Sequence, residues 1–207
     1  METKEIRSFD FEVRAEENEE RGKYIEGRAI VYGQKTDLGW YDEIIADGAL
    51  DNTDLRDVRL LVNHNTDMIP LARSRNNNAN STMQLVVVPG EGLDIRANLD
   101  VENNTDAAAL YSATARGDLS GMSFMFLADK DKWDDMDSDH PTRTILSLKR
   151  VLEVSACTFP AYTQTSLEAR GLADALDSAR ASLESAKAEQ RAIERQKQRI
   201  RILTEVK

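Results

Sequence analysis

The chain has 207 residues, 41% of them hydrophobic and 6% aromatic, enough apolar material for one core of about 150 residues plus an appendage. No run approaches the ~18 apolar residues of a membrane-spanning helix, and the charged start METKEIRSFDFEVRAEENEE lacks the apolar stretch of a secretory signal, so a cytosolic product is expected. A lone cysteine, Cys157, excludes an internal disulfide and a cysteine-rich zinc site, and 27 basic against 37 acidic residues (net −10) argue against a surface made to grip nucleic acid.

The first two-thirds read as short strands separated by turns. Lys23–Gly33 has the β-branched and aromatic content of a strand, and Val58–Val62 (VRLLV) is a second. Met83–Val88 and Leu93–Leu99 flank Pro89-Gly90-Glu91-Gly92, a hairpin signal. Asn104–Arg116 switches to helix: Asn104 or Thr105 can cap it, Ala107–Ala109 favour it and Gly117 ends it. Leu119–Leu127 returns to strand, Asp129–Asp139 reads as a mobile acidic loop, and Thr144–Leu148 and Val151–Cys157 are expected to pair as the last strands before Pro160. The acidic loop lacks the glycine at position six and the glutamate at position twelve of a calcium loop.

After Ser166 the pattern changes. Leu172, Leu176, Ala179, Leu183, Ala186, Ile193 and Ile200 fall on a heptad seam in which Gln190 and Lys197 take the remaining places. This weak seam can form a coiled coil, lie on the body of the protein or pair with a helix of another chain. From Lys187 to Lys207 there are seven Lys/Arg against three Glu, a local +4, which reads as an interaction segment or as a solvated helix face. The division expected is therefore residues 1–165 as one domain and 166–207 as a helical, coiled-coil segment.

With two histidines, acid–base chemistry near neutral pH has few carriers. His64 stands where the apolar run Leu60–Val62 stops, held by a sheet yet reachable, in a structural or a functional role; His140 sits in a polar stretch and is expected to be solvated. Strand alternation puts Gly121, Ser123 and Met125 on one face and Met122, Phe124 and Phe126 on the other, which is core. Ser123 is either a satisfied strand hydroxyl or a nucleophile. Alternation also puts Leu152, Val154 and Ala156 on one face of the last strand, and Val151, Glu153, Ser155 and Cys157 on the other. Glu153 among apolar neighbours needs a partner, either an arginine or a histidine that it orients.

Taken in order, five segments resemble the prohead (capsid maturation) protease family of tailed bacteriophages: Gly27–Tyr32, Tyr41–Leu50, Asp57–Asn65, Gly121–Phe124, and Leu152–Ser155 followed by Pro160-Ala161-Tyr162. The resemblance covers about Tyr24 to Arg170. It implies an α+β fold, a mostly antiparallel β-barrel shared with herpesvirus assemblins, with peripheral helices and a long C-terminal helix. It also implies a serine endopeptidase without metal or cofactor, in which Ser123 is the nucleophile, His64 the general base and Glu153 the third member. Arg73, in Leu71-Ala72-Arg73 where the family often has L-G-R, and the backbone near Met122 are carried over as substrate or oxyanion candidates. The implied substrates are the scaffolding segment of the major capsid protein and the enzyme itself. The implied place is the procapsid interior, after synthesis in the host cytoplasm, with a homo-oligomer possible and neither a membrane nor a specific nucleic acid as partner. The alternative is an inactive capsid scaffolding protein that works through its coiled coil.

Overall fold

The computed structural model describes residues 3–9, 13–19, 22–119, 121–158 and 166–205. Eleven strands and two helices are described. One sheet is built on two long neighbours, β10 (Gly121–Asp134) and β11 (Thr142–Cys157), which pair antiparallel. β1 (Glu5–Phe9) pairs antiparallel with the other edge of β10. β11 is long enough to take two parallel strands in succession: β5 (Asp42–Ile45) lies beside residues 142–145 and β6 (Asp57–Val62) beside residues 153–156. β4 (Lys35–Asp37) and β7 (Ala72–Arg75) extend these antiparallel. The second sheet has the order β2 (Arg14–Asn18), β3 (Gly22–Val31), β9 (Gly92–Asn98), β8 (Met83–Val88).

The fold is thus α+β and mostly antiparallel, as expected. Among the described residues the strands fall into two sheets, and their pairing closes no barrel. One apolar core lies between them, with Ile25, Ile30, Leu93 and Ile95 from one sheet meeting Leu60, Met122, Phe124, Phe126 and Val154 from the other. The Phe124 and Phe126 rings stack at 5.0 Å. Helix α1 (Thr105–Ala115) begins where Asn104 accepts from the Asp106 and Ala107 N–H groups, and Gly117 follows its end at φ 77°, a conformation glycine adopts without penalty. In the β8–β9 hairpin Gly92 sits at φ 143°, where a Cβ would lie 1.9 Å from the Ile30 carbonyl oxygen; only glycine lets the turn approach β3 that closely.

Three expectations are corrected. Thr144–Leu148 and Val151–Cys157 do not pair with each other: they are successive parts of β11, which pairs along its length with β10. Asp129–Asp134 are not loop: β10 runs on to Asp134, because Asp131 finds Arg143 on β11 (2.6 Å) and Ser147 Oγ donates to Asp129 (2.9 Å). The last strand does not alternate without interruption either. Met125 pairs with Glu153 but Phe126 pairs with Val151, so Leu152 is bulged outward and half-buried while Val151 turns into the core.

Helix α2 (Ser166–Glu205) lies on the body. Ala175, Ala179 and Leu183 are buried, and Ala179 and Leu183 pack on Tyr41 and Trp133, with Leu176 and Ala186 at the margin. Trp40 stacks on Trp133 at 5.8 Å, and burial pushes the Tyr41 phenol up to about 12. The small residues of the seam let the helix approach these rings. Further on, Ile193 and Ile200 are 46% and 55% exposed. Ala179→Leu is expected to overpack this contact and cost about 1–3 kcal/mol, while Ile193→Ser stays within about 0.5 kcal/mol. Urea unfolding of both variants checks this, and equal midpoints would contradict the docking.

Candidate active site

The register of the long strands assembles the site. Ser123 on β10 stands opposite Ser155 on β11, and Met125 opposite Glu153, so Ser123, Glu153 and Ser155 share the face away from the core. β6 runs parallel to β11 up to Val62 opposite Ala156, and the Asn63 N–H continues the ladder to the Ala156 carbonyl at 3.0 Å. The chain then turns sharply, with Asn63 and His64 both left-handed at φ 49° and 54°. Two such residues in succession cost on the order of 1–3 kcal/mol each, and local bonds hold them. The Asn63 side chain exchanges hydrogen bonds with Thr158, accepting from its N–H (3.0 Å) and donating to its hydroxyl (2.7 Å). The His64 N–H donates to Ser155 Oγ at 3.1 Å. The turn stops the strand and folds the imidazole back over the sheet.

There His64 Nδ1 lies 2.6 Å from Glu153 Oε1, and Nε2 lies 2.6 Å from Ser123 Oγ. Ser155 Oγ donates to the second carboxylate oxygen, Oε2, at 2.6 Å. All four side chains are buried: Ser123 and Ser155 are 0% exposed, His64 1% and Glu153 3%. An ionised carboxylate only accepts, so Nδ1 carries the ring proton and Nε2 is left as the acceptor facing Ser123. Two short hydrogen bonds to the charged group offset its desolvation. Of the two partners open to Glu153, histidine or arginine, the structure supplies the histidine.

Ser123 Oγ has further neighbours on β1. It lies 2.7 Å from the Arg7 carbonyl oxygen, and Ser8 Oγ donates to it at 2.9 Å. Met122 points into the core, so only its backbone faces this region. Arg73 is not brought to the three residues. It lies two strands from Glu153, in the row Glu153, Arg59, Arg73, and its guanidinium forks onto Asp57 at 2.7 and 2.9 Å. That hydrogen bond holds the Asp57 carboxyl below its usual range. His140 is not simply solvated: its Nε2 is 3.0 Å from Asp42 Oδ1. Asp37, Asp42 and His140 place ligand atoms within 4.8 Å of one another, but Lys35 already sits 2.6 Å from Asp42 and, with His140, holds that carboxyl low.

Sequence reasoning placed Ser155 on the Glu153 face without giving it a task; its spacing two residues beyond the acid was the available signal. It gave no sign of β1, whose charged residues conceal its strand character.

A hydroxyl, an imidazole and a carboxylate joined in series on a mostly antiparallel sheet have the geometry of a serine hydrolase centre. The comparisons narrow this class. The chain belongs to the caudovirus prohead serine protease family, whose family model matches residues 9–178. It is similar to the prohead protease of Enterobacteria phage HK97, with 28% identity over 158 residues, 75% of this chain and 63% of that protein. The chain therefore spans less than two-thirds of that relative's length. No solved structure matches it.

Ser155→Ala strips the carboxylate and the His64 N–H of a buried partner and is expected to cost about 1–3 kcal/mol, with Ser155→Thr recovering part. Urea unfolding checks this, and an unchanged midpoint would mean that the hydroxyl does not hold Glu153.

Proposed function

We propose that the chain is the serine endopeptidase of capsid maturation, cleaving the scaffolding segment of the major capsid protein and itself. The observation that carries this reading is the unbroken series Ser123–His64–Glu153, with both links at 2.6 Å, in a chain of the prohead protease family. His64 Nε2 takes the Ser123 proton as Oγ attacks a peptide carbonyl carbon. Glu153 holds the ring in the required tautomer and stabilises the imidazolium. Backbone N–H groups of β10 near Met122 receive the oxyanion. His64 then returns the proton to the leaving amine, and water releases the acyl group by the same route.

The rest of the assignment is of the same kind. Arg73 serves on the substrate surface rather than at the oxyanion, since it shares the face of Glu153 at two strands' remove. The two sheets and their common core are taken as the walls of an assemblin-like barrel. Residues 1–165 form the protease unit, and 166–207 the helical segment whose exposed basic end associates with helical scaffold inside the procapsid, the chain being in the host cytoplasm before assembly. No described helix is long and apolar enough to cross a membrane. One observation favours the alternative of an inactive scaffolding protein: Ser123 is fully covered.

The test is intact mass over time of wild type and Ser123→Ala, each co-expressed with its capsid protein. Only wild type is expected to trim itself and shorten the capsid protein. Identical trimming in both would remove Ser123 from the mechanism, and full-length products alongside assembled procapsids would favour scaffolding. Because Ala179 and Leu183 cover Tyr41 and Trp133, a deletion that separates packaging from activity must begin after Ala186. Loss of residues 187–207 is expected to abolish incorporation into procapsids while leaving peptide cleavage intact.

A further inference from the structure

The strand that covers Ser123 belongs to this chain. β1 runs antiparallel to the outer edge of β10 from Glu5 opposite Phe126 to Phe9 opposite Met122, with Ser8 directly opposite Ser123. Its backbone and its hydroxyl both engage the nucleophile. Ser123 has one hydroxyl proton and two acceptors within reach, His64 Nε2 at 2.6 Å and the Arg7 carbonyl at 2.7 Å. Ser8 meanwhile donates into the oxygen lone pairs that would attack. With β1 in place the proton is contested, the lone pairs are engaged and no peptide can reach Oγ.

Among the described residues β1 is also the last strand on its side of the sheet. Half of the backbone N–H and C=O groups of an edge strand point outward, and an extended peptide can pair with them. On β10 that row runs past Ser123, where an incoming backbone and an oxyanion both need donors, and β1 takes it up.

Besides its ladder with β10 and its contact with α2, β1 is seated by charge. On the face opposite Ser8, Arg7 bonds Glu43 through two of its nitrogens, Glu5 at 2.7 Å and the Tyr41 hydroxyl at 3.4 Å. Arg143 bonds Glu5 at 2.7 and 3.1 Å, Glu43 at 3.1 Å and Asp131 at 2.6 Å. The socket on the body is thus Glu43, Arg143 and Asp131, all strand residues, and β1 brings to it an acid and, two residues on, a base. Buried ion pairs of this kind set register more than they add net stability, so they suit a strand that must also leave.

We propose that the β10 edge beside Ser123 is the docking site for an extended substrate strand with an acidic side chain two residues ahead of a basic one, and that β1 occupies it in cis as a displaceable plug. The proposal rests on the peptidase reading only in calling the incoming strand a substrate. The covered Ser123 then describes a resting enzyme rather than a retired one.

The experiment compares wild type, a variant lacking residues 1–9 and full-length Arg7→Ala. It follows fluorophosphonate labelling of Ser123 and hydrogen exchange of the β10 amides, with and without a peptide of residues 3–9 or its charge-swapped form, in which Glu5 and Arg7 exchange places. If β1 seats Ser123 in more than nine molecules in ten, its removal raises labelling at least about tenfold, with Arg7→Ala intermediate. The native peptide is expected to restore slow labelling and slow exchange, and the swapped peptide to do neither. A truncated protein with a native far-UV spectrum and a cooperative melt that labels at the wild-type rate overturns the plug, as does equal protection by both peptides. Where the truncated protein fails to fold, a wild-type rate in Arg7→Ala does the same. If nothing labels but the native peptide alone protects the β10 amides, the docking edge stands and the peptidase reading falls.

Discussion

Glu153 carries its carboxylate into the middle of a sheet, where a charge without partners costs several kcal/mol. The arrangement around it follows from meeting that cost without a cation: one oxygen is taken by His64 and the other by Ser155. To deliver the imidazole, β6 has to end opposite Ala156 and reverse through two left-handed residues, which explains why asparagine, the non-glycine residue most at ease there, stands at position 63. To keep Glu153 level with Met125 while Phe126 stays in the core, β11 has to bulge at Leu152. The geometry around Glu153 and the irregularities of the fold are one problem solved together.

β10 separates two buried polar systems. On one face lie Ser123, His64, Glu153 and Ser155; on the other, the acids and arginines that seat β1. The first has a single carboxylate, held by two hydrogen bonds of 2.6 Å. The second balances two arginines, Arg7 and Arg143, against Glu5, Glu43 and Asp131, and burial, which by itself would depress a guanidinium, is overcome as those carboxylates hold both arginines above their usual range. Arg7 links the two systems, its side chain in the ionic socket and its carbonyl on Ser123 Oγ. A strand of five residues therefore reaches Ser123 Oγ through a carbonyl and no side chain larger than serine.

What was legible in the sequence is what leaves a periodic trace. The faces of Gly121–Phe126, the β8–β9 hairpin and the Asn104-capped helix all follow from alternation or turn chemistry, and the motif order brought Ser123, His64 and Glu153 together. The short polar strands left no such trace: Arg14–Asn18 has one apolar residue in five, and Glu5–Phe9 buries its charges and so inverts the usual pattern. Asp131 looked like loop because an acid in a strand declares itself only through its cross-strand arginine. Arg73 entered through the resemblance of Leu71-Ala72-Arg73 to a family motif; its fork onto Asp57, made by the antiparallel return of β7, leaves no trace in that spacing.

The helix and the covering strand are not independent. Trp133 Nε1–H donates to Ser182 Oγ at 3.0 Å, and Ser182 donates in turn to Asp131, which binds Arg143, which binds Glu5 of β1. Asp131 thus serves α2 on one side and the socket of β1 on the other. Whatever strengthens the hold of α2 on Asp131 orients the carboxylate that completes the socket. The packing of Ala179 and Leu183 against the aromatic cluster accordingly bears on how firmly the strand over Ser123 is held. The same helix thus joins the aromatic cluster, through Ala179 and Leu183, to the carboxylate that completes the socket of the strand over Ser123.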